Sequence, residues 1–287
     1  MTSLFKNFSI AVCVLMLSGC SFSFVYNKLD WWINWYLDDY VELNKTQQKS
    51  FDKAFEELHL WHRQNELMRY HEQLSSFKAR VNAIEQDQPI TEQEIYQFLV
   101  DSQQHWHRFI THAQPYLTTL LAELSAEQKE ALINNLKKRN EKLLADRAET
   151  TLEERVKDDQ KSQQKSFKKW FGKLSKAQKT LVDERVTTYQ SSFDQWLAYR
   201  NLWLSSFESA LMPTFDQQVN EQLLIDAIIN AQDLRSEAFI EKIEYNNRVF
   251  SSLLADFLNQ ASKKQMKRFN RRVTSYLEDF EDLSKDN

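Results

Sequence analysis

The residues of this 287-residue chain best suited to chemistry are its six histidines, and all of them lie between His59 and His112. Glu56-Glu57-Leu58-His59 is a Glu-x-x-His step, and on a helix His59, His62 and Glu66 share one face. A bundle di-metal site needs two such steps and two further carboxylates. No second step exists, since His105, His107 and His112 lack an acidic residue three positions upstream. A metal-dependent enzyme using Glu56, His59, His62 and Glu66 stays as an alternative. The expectation is partly exposed, hydrogen-bonded histidines with no metal and no cofactor.

Nucleophilic catalysis has even less to work with. The chain has no Gly-x-Ser-x-Gly, no glycine-rich phosphate loop and no HExxH. Gly19 and Gly172 are its only glycines, so backbone nests and oxyanion loops are hard to build. Asp38 and Asp39 are adjacent, and adjacent side chains on a helix point about 100° apart and do not converge. No catalytic residue is predicted, and the chain reads as a protein that is not an enzyme.

The elements that position these residues follow from composition and caps. Two glycines and three prolines leave little for sheets and tight turns, which predicts an all-α fold. Apolar residues make up 42% and aromatics 13%, enough for a packed interior and too much for a disordered chain. Asn44, Ser125, Ser175 and Ser262 each precede a glutamine by three positions, and Thr91 precedes Glu94 likewise, so five helices should start there. Leu67, Tyr70, Leu74, Phe77, Val81 and Ile84 form one stripe. Phe51, Ala54, Leu58, Trp61 and Met68 form another, slightly out of phase, which predicts a slip between Trp61 and Leu67.

Pro89 should end the first long helix, and Pro115 should interrupt the next, from Thr91 to about Leu124. Uninterrupted helices are expected from Ser125 to about Phe171, closed by Gly172, then Ser175 to Met212, Asn220 to about Asn259, and Ser262 to about Leu283. The expectation is an extended bundle of about six to seven long amphipathic helices. Offsets near 130 between Thr91 and Asn220, Tyr116 and Tyr245, and Asn44 and Ser175 are open to two readings, a duplication of three helices or chance likeness between leucine-rich helices.

The amino terminus reads as an address. Lys6, an apolar run from Phe8 to Leu17, and Leu17-Ser18-Gly19-Cys20 make a secretory signal whose core is too short to span a bilayer. Cys13 would leave with the signal, so Cys20 has no intrachain disulfide partner. The ending resembles the bacterial lipobox, which implies acylation of Cys20. Ser21, where an aspartate would retain the protein at the inner membrane, implies by the same resemblance the outer membrane. Acyl chains contribute about 0.8 kcal/mol per buried methylene, enough for stable anchoring when several are attached.

Beyond the anchor lies Leu29–Leu43, with Leu29, Trp32, Ile33, Tyr36, Tyr40 and Leu43 on one helical face and Asp30, Asn34, Asp38 and Glu42 on another. Its aromatics either pack under the following helices or place Trp31 and Trp35 at a headgroup layer. The segment from Lys161 to Lys179 holds seven lysines and no acid up to its end, and Lys263, Lys264, Lys267, Arg268, Arg271 and Arg272 form a second basic segment. A net charge of -4 argues against nucleic acid. For an exported chain the polyanions within reach are phospholipid headgroups, lipopolysaccharide phosphates or an acidic protein, and the acidic Leu29–Leu43 stretch could be an internal counterpart.

Tyr26-Asn27-Lys28-Leu29-Asp30-Trp31, Trp35-Tyr36-Leu37-Asp38-Asp39-Tyr40, then Trp61-His62-Arg63 with Glu66-Leu67 and Tyr70, and later Trp170-Phe171-Gly172-x-Leu174, resemble an uncharacterised family of bacterial lipoproteins. The resemblance implies an anchored helical protein and supplies no reaction. It marks Trp31, Trp35, Asp38, Asp39, Trp61, His62, Arg63 and Glu66 as candidate interaction residues. Around Ala148–Lys165 the chain departs from that family's arginine-rich pattern, carrying Glu153, Glu154, Asp158 and Asp159. Separately, Leu43-Asn44-x-x-Gln47, Leu124-Ser125-x-x-Gln128 and Leu174-Ser175-x-x-Gln178 are similar to the Leu-Thr-x-x-Gln motif of Spy-type periplasmic chaperones, which implies client binding. Capping boxes account for the same residues.

The expected organisation is a signal peptide over 1–19, a lipidated aromatic-acidic segment over 20–43, and helical segments over 44–173 and 174–287. The expected role is a non-enzymatic outer-membrane lipoprotein facing the periplasm, anchored through Cys20 and binding an envelope protein or anionic envelope component, with no nucleic acid.

Overall fold

The computed structural model describes residues 22–212 and 220–285, so the predicted signal peptide and Cys20 lie outside the described residues. Every regular element among the described residues is helical. In chain order these are α1 (Phe22–Tyr26), α2 (Leu29–Leu37), α3 (Lys45–Asn65), α4 (Leu67–Asn82), α5 (Glu92–Ala122), α6 (Ala126–Ala148), α7 (Leu152–Phe171), α8 (Lys176–Thr187), α9 (Phe193–Leu211), α10 (Glu221–Ile229), α11 (Glu237–Asn259) and α12 (Lys263–Lys285). The class is the one composition predicted, and six to seven helices is an undercount.

The extra helices have identifiable causes. The long helix expected from Ser125 breaks at Glu149–Thr151, where Thr151 and Glu154 form a capping box of the same kind as the five anticipated ones. The helix expected from Ser175 breaks at Thr188–Ser192. There Asn246 of α11 accepts from the Gln190 amide at 2.9 Å and donates to the Gln190 carbonyl at 2.8 Å, replacing the lost helical bonds. The helix expected from Asn220 breaks at Asn230, and a new one starts at the Ser236 cap. Pro115, in contrast, does not interrupt α5. The carbonyl its ring leaves without a partner belongs to Thr111, which is exposed and can be hydrated.

The capping boxes also act between helices. Gln47, third residue of α3, and Gln128, third of α6, exchange two amide hydrogen bonds of 2.8 Å. Gln178, third of α8, and Gln265, third of α12, repeat the exchange at 3.1 and 2.9 Å. Gln47 also donates to the Glu123 carbonyl, Gln128 to that of Glu42 and Gln265 to that of Lys173, each two residues before the facing cap. Both junctions thereby satisfy buried amides that would otherwise destabilise by about 1–3 kcal/mol apiece.

Helices from the two long segments interleave. α4 packs on α12, α6 on α9, and α5 on α11. One core gathers Val81, Phe167, Phe171, Val182, Phe257, Met266, Phe269 and Val273; another gathers Tyr40, Val41, Ile133, Leu204, Phe207, Leu211 and Leu224. Gly172 ends α7 with φ at +85°, where a side chain is strained, and a Cβ there would sit 3.2 Å from the Arg268 side chain.

Candidate functional site

The slip predicted between Trp61 and Leu67 occurs at Glu66, which separates α3 from α4 with φ -107° and ψ -33°. The path stays connected, as the Glu66 amide donates to the His62 carbonyl and its own carbonyl accepts from Tyr70, both at 2.9 Å. The change of phase turns the Glu66 side chain inward, leaving it 1% exposed.

Arg108 of α5 meets this carboxylate with a two-pronged pair, Nε to Oε1 at 2.7 Å and Nη2 to Oε2 at 2.9 Å. His105, one turn earlier on the same face, sits with Nδ1 3.1 Å from Oε2 and 2.5 Å from Arg108 Nη2. Its Nε2 lies 2.7 Å from Gln73 Oε1. The Gln73 amide nitrogen donates to the Phe98 carbonyl and Ser102 Oγ, so Gln73 Oε1 is an acceptor and the His105 hydrogen belongs on Nε2. Burial would raise the Glu66 pKa, but the hydrogen bonds and the positive charge of Arg108 oppose it, and the carboxyl is held below its usual range.

A second buried chain adjoins the first. The His62 ring lies between Tyr26, with Nδ1 to the hydroxyl at 2.8 Å, and Tyr70, with Nε2 to the hydroxyl at 2.9 Å. Tyr26 belongs to α1, so this contact fastens the start of the described chain to α3 and α4. Arg63 adds a stack over the Tyr26 ring at 5.5 Å and a hydrogen bond to Asn27 Oδ1. Trp61 stacks on His112 of α5 with centroids 4.0 Å apart. The candidates His62 and Arg63 thus meet Tyr26, His62 and Glu66 lie near Tyr70, and Trp61 packs against α5 instead.

Burial pushes the His62 pKa down to about 4, against the opposing pull of Glu66. A histidine depressed on folding contributes stability that is complete above the ordinary value near 6.5 and is lost as pH falls toward 4. The shift corresponds to about 3 kcal/mol. Urea unfolding between pH 7.5 and 4 should therefore show a steep loss that is shallower in His62→Gln, and equal slopes for the two proteins would refute it.

The remaining candidates lie elsewhere. Trp31 and Trp35 are 58% and 54% exposed, and Trp32, expected on the packed stripe, is 48% exposed. Only the end of that stretch is buried, through Tyr40 and Val41. Asp38 and Asp39 are exposed just after α2, and among the described residues no ion pair joins the Leu29–Leu43 stretch to either basic segment. Among the described residues no cluster of three or more His, Cys, Asp or Glu could hold a metal. Both His62 nitrogens and both Glu66 oxygens already have protein partners.

The sequence analysis gives Gln73 and Arg108 no role, and it names His105 only as lacking an upstream acid. The signal for His105 is an arginine three residues downstream, Arg108, on the same helical face.

Fold and site together define an all-α protein whose first helices are locked to the bundle by a buried Glu-Arg-His cluster and a Tyr-His-Tyr chain. The chain belongs to a family of unknown function, DUF6279, which matches residues 39–240. The match includes Trp61-His62-Arg63 and Glu66 and begins after α1 and α2. No curated protein and no solved structure matches the chain.

Proposed function

We propose that this is a non-enzymatic lipoprotein of the cell envelope, held at the periplasmic face of the outer membrane by an acylated Cys20 and acting by contact with an envelope protein or an anionic envelope component. The observation that carries the reading is how soon the fold begins after Cys20. Phe22 seats its ring 5.2 Å from Phe280 and 6.4 Å from Tyr276, and Ser23 Oγ donates to Asp279 Oδ1 at 2.6 Å. An acyl group on Cys20 would hold the bundle close against the bilayer, with almost no linker. The exposed Trp31, Trp32 and Trp35 supply contact area suited to a partner or a headgroup layer. No helix among the described residues is long and apolar enough to cross a membrane.

A Cys20→Ser variant should leave the membrane fraction on washing in about 1 M salt, where charge acts over only about 3 Å, and lose the mass of the acyl chains from its amino-terminal peptide. Retention in the salt-washed membrane fraction would overturn the anchor. The chaperone-like reading is supported by the exposed tryptophans alone, since Gln47, Gln128, Gln178 and Gln265 are engaged within the fold.

A further inference from the structure

The two basic segments, about a hundred residues apart in sequence, meet in the fold because α7 packs on α12. Arg268 lies against the Lys169 carbonyl, with Nε and Nη2 each at 3.4 Å. Arg272 lies over the Trp170 ring at 5.2 Å. Burial lowers the Lys169 pKa, and the nearby charges of Arg272 and Lys165 lower it further. Lys165, Lys264, Lys267 and Arg271 extend the ridge as exposed cations. Among the described residues none of these cations has a carboxylate within ion-pair distance, while lysines elsewhere, such as Lys137 and Lys157, do. Arg272 Nε is buried without a hydrogen-bond partner among the described residues.

Like charges gathered without counter-charge destabilise a fold unless something anionic covers them. The ridge also lies beside α1, the first helix of the described residues. Phe22 touches Tyr276, whose ring is 5.8 Å from Trp170, the ring beneath Arg272. We infer that the α7–α12 ridge is a docking surface for the phosphate-bearing headgroups of anionic phospholipids, which would set the orientation of the bundle on its membrane. The placement beside the anchor rests on the function proposed above, but the charge complementarity does not. In a chain of net charge -4, attraction to an anionic surface has to be local, and a ridge of cations supplies that locality.

The test uses the mature chain from residue 20 with Cys20→Ser, so acylation cannot contribute. Binding is measured to phosphatidylcholine vesicles with and without about one-third phosphatidylglycerol, an anionic fraction comparable to a charged leaflet. The expected result is binding to the anionic vesicles only, abolished in about 1 M salt, where screening shortens the range of charge to about 3 Å. Lys165→Gln/Lys267→Gln/Arg271→Gln, all exposed positions, should weaken it about a hundredfold, at roughly fivefold per cation. Lys45→Gln/Lys49→Gln/Lys53→Gln on α3, an equal change in net charge, should weaken it severalfold at most.

Equal losses from the two triple variants, equal binding to both kinds of vesicle, or binding to an acidic polypeptide but not to anionic vesicles would each overturn the inference. Because no acyl group is present, none of these results bears on Cys20, and the membrane-release experiment does not bear on the ridge.

Discussion

Glu66→Ala is expected to lower the unfolding free energy by about 3 kcal/mol, the lower end of the range for breaking a buried ion pair. The carboxylate is inaccessible and holds Arg108 by two hydrogen bonds while facing His105. Removing it leaves a guanidinium with no counter-charge in the cluster. Arg108 retains 33% side-chain exposure, so water relieves part of that cost. Replacing both partners by apolar residues, Glu66→Leu with Arg108→Met, should restore more than half of the loss, because the stranded charge is gone. Chemical denaturation of the three variants checks both statements. A single-variant loss under about 1 kcal/mol would show that the pair contributes no more than a surface ion pair does.

Phe257→Ala should cost about 4 kcal/mol, within the usual range for deleting a buried phenyl ring. Phe257 has no exposed surface and lies 4.5 Å from the Phe167 ring and 4.8 Å from that of Phe171. Phe171 stacks in turn on Phe269 of α12 at 5.5 Å. The three contacts join α11, α7 and α12, so the cavity would open beneath the helices that carry the basic ridge. Phe257→Leu retains much of the volume and should cost roughly half as much. Equal stability of the alanine variant and the native protein in thermal unfolding would refute the assignment of this ring to the core.

Much of the local structure was legible because it depends on neighbours in sequence. Asn44, Thr91, Ser125, Ser175 and Ser262 cap helices as their spacing to Gln or Glu predicts. The out-of-phase stripes around Trp61 correspond to the break at Glu66. Thr151-Leu-Glu-Glu154 carries the same cap signal, but the apolar stripe there is thin, and periodicity alone does not mark the break between α6 and α7. The breaks near Gln190 and Asn230 had weaker signals, and the one at Gln190 depends on Asn246, distant in sequence.

The sequence by itself determined the all-α class and five helix starts, through scarce glycine and proline and short-range capping chemistry. It also marked Trp61, His62, Arg63 and Glu66, by resemblance, as residues to watch. Only the tertiary structure decided that Glu66 faces Arg108 and His105, that Gln47 pairs with Gln128, that Tyr26 reaches His62, and that two basic segments form one ridge. Those contacts join residues on different helices. Their existence depends on which faces the helices bury against one another, and a one-dimensional periodicity identifies a face without naming its partner.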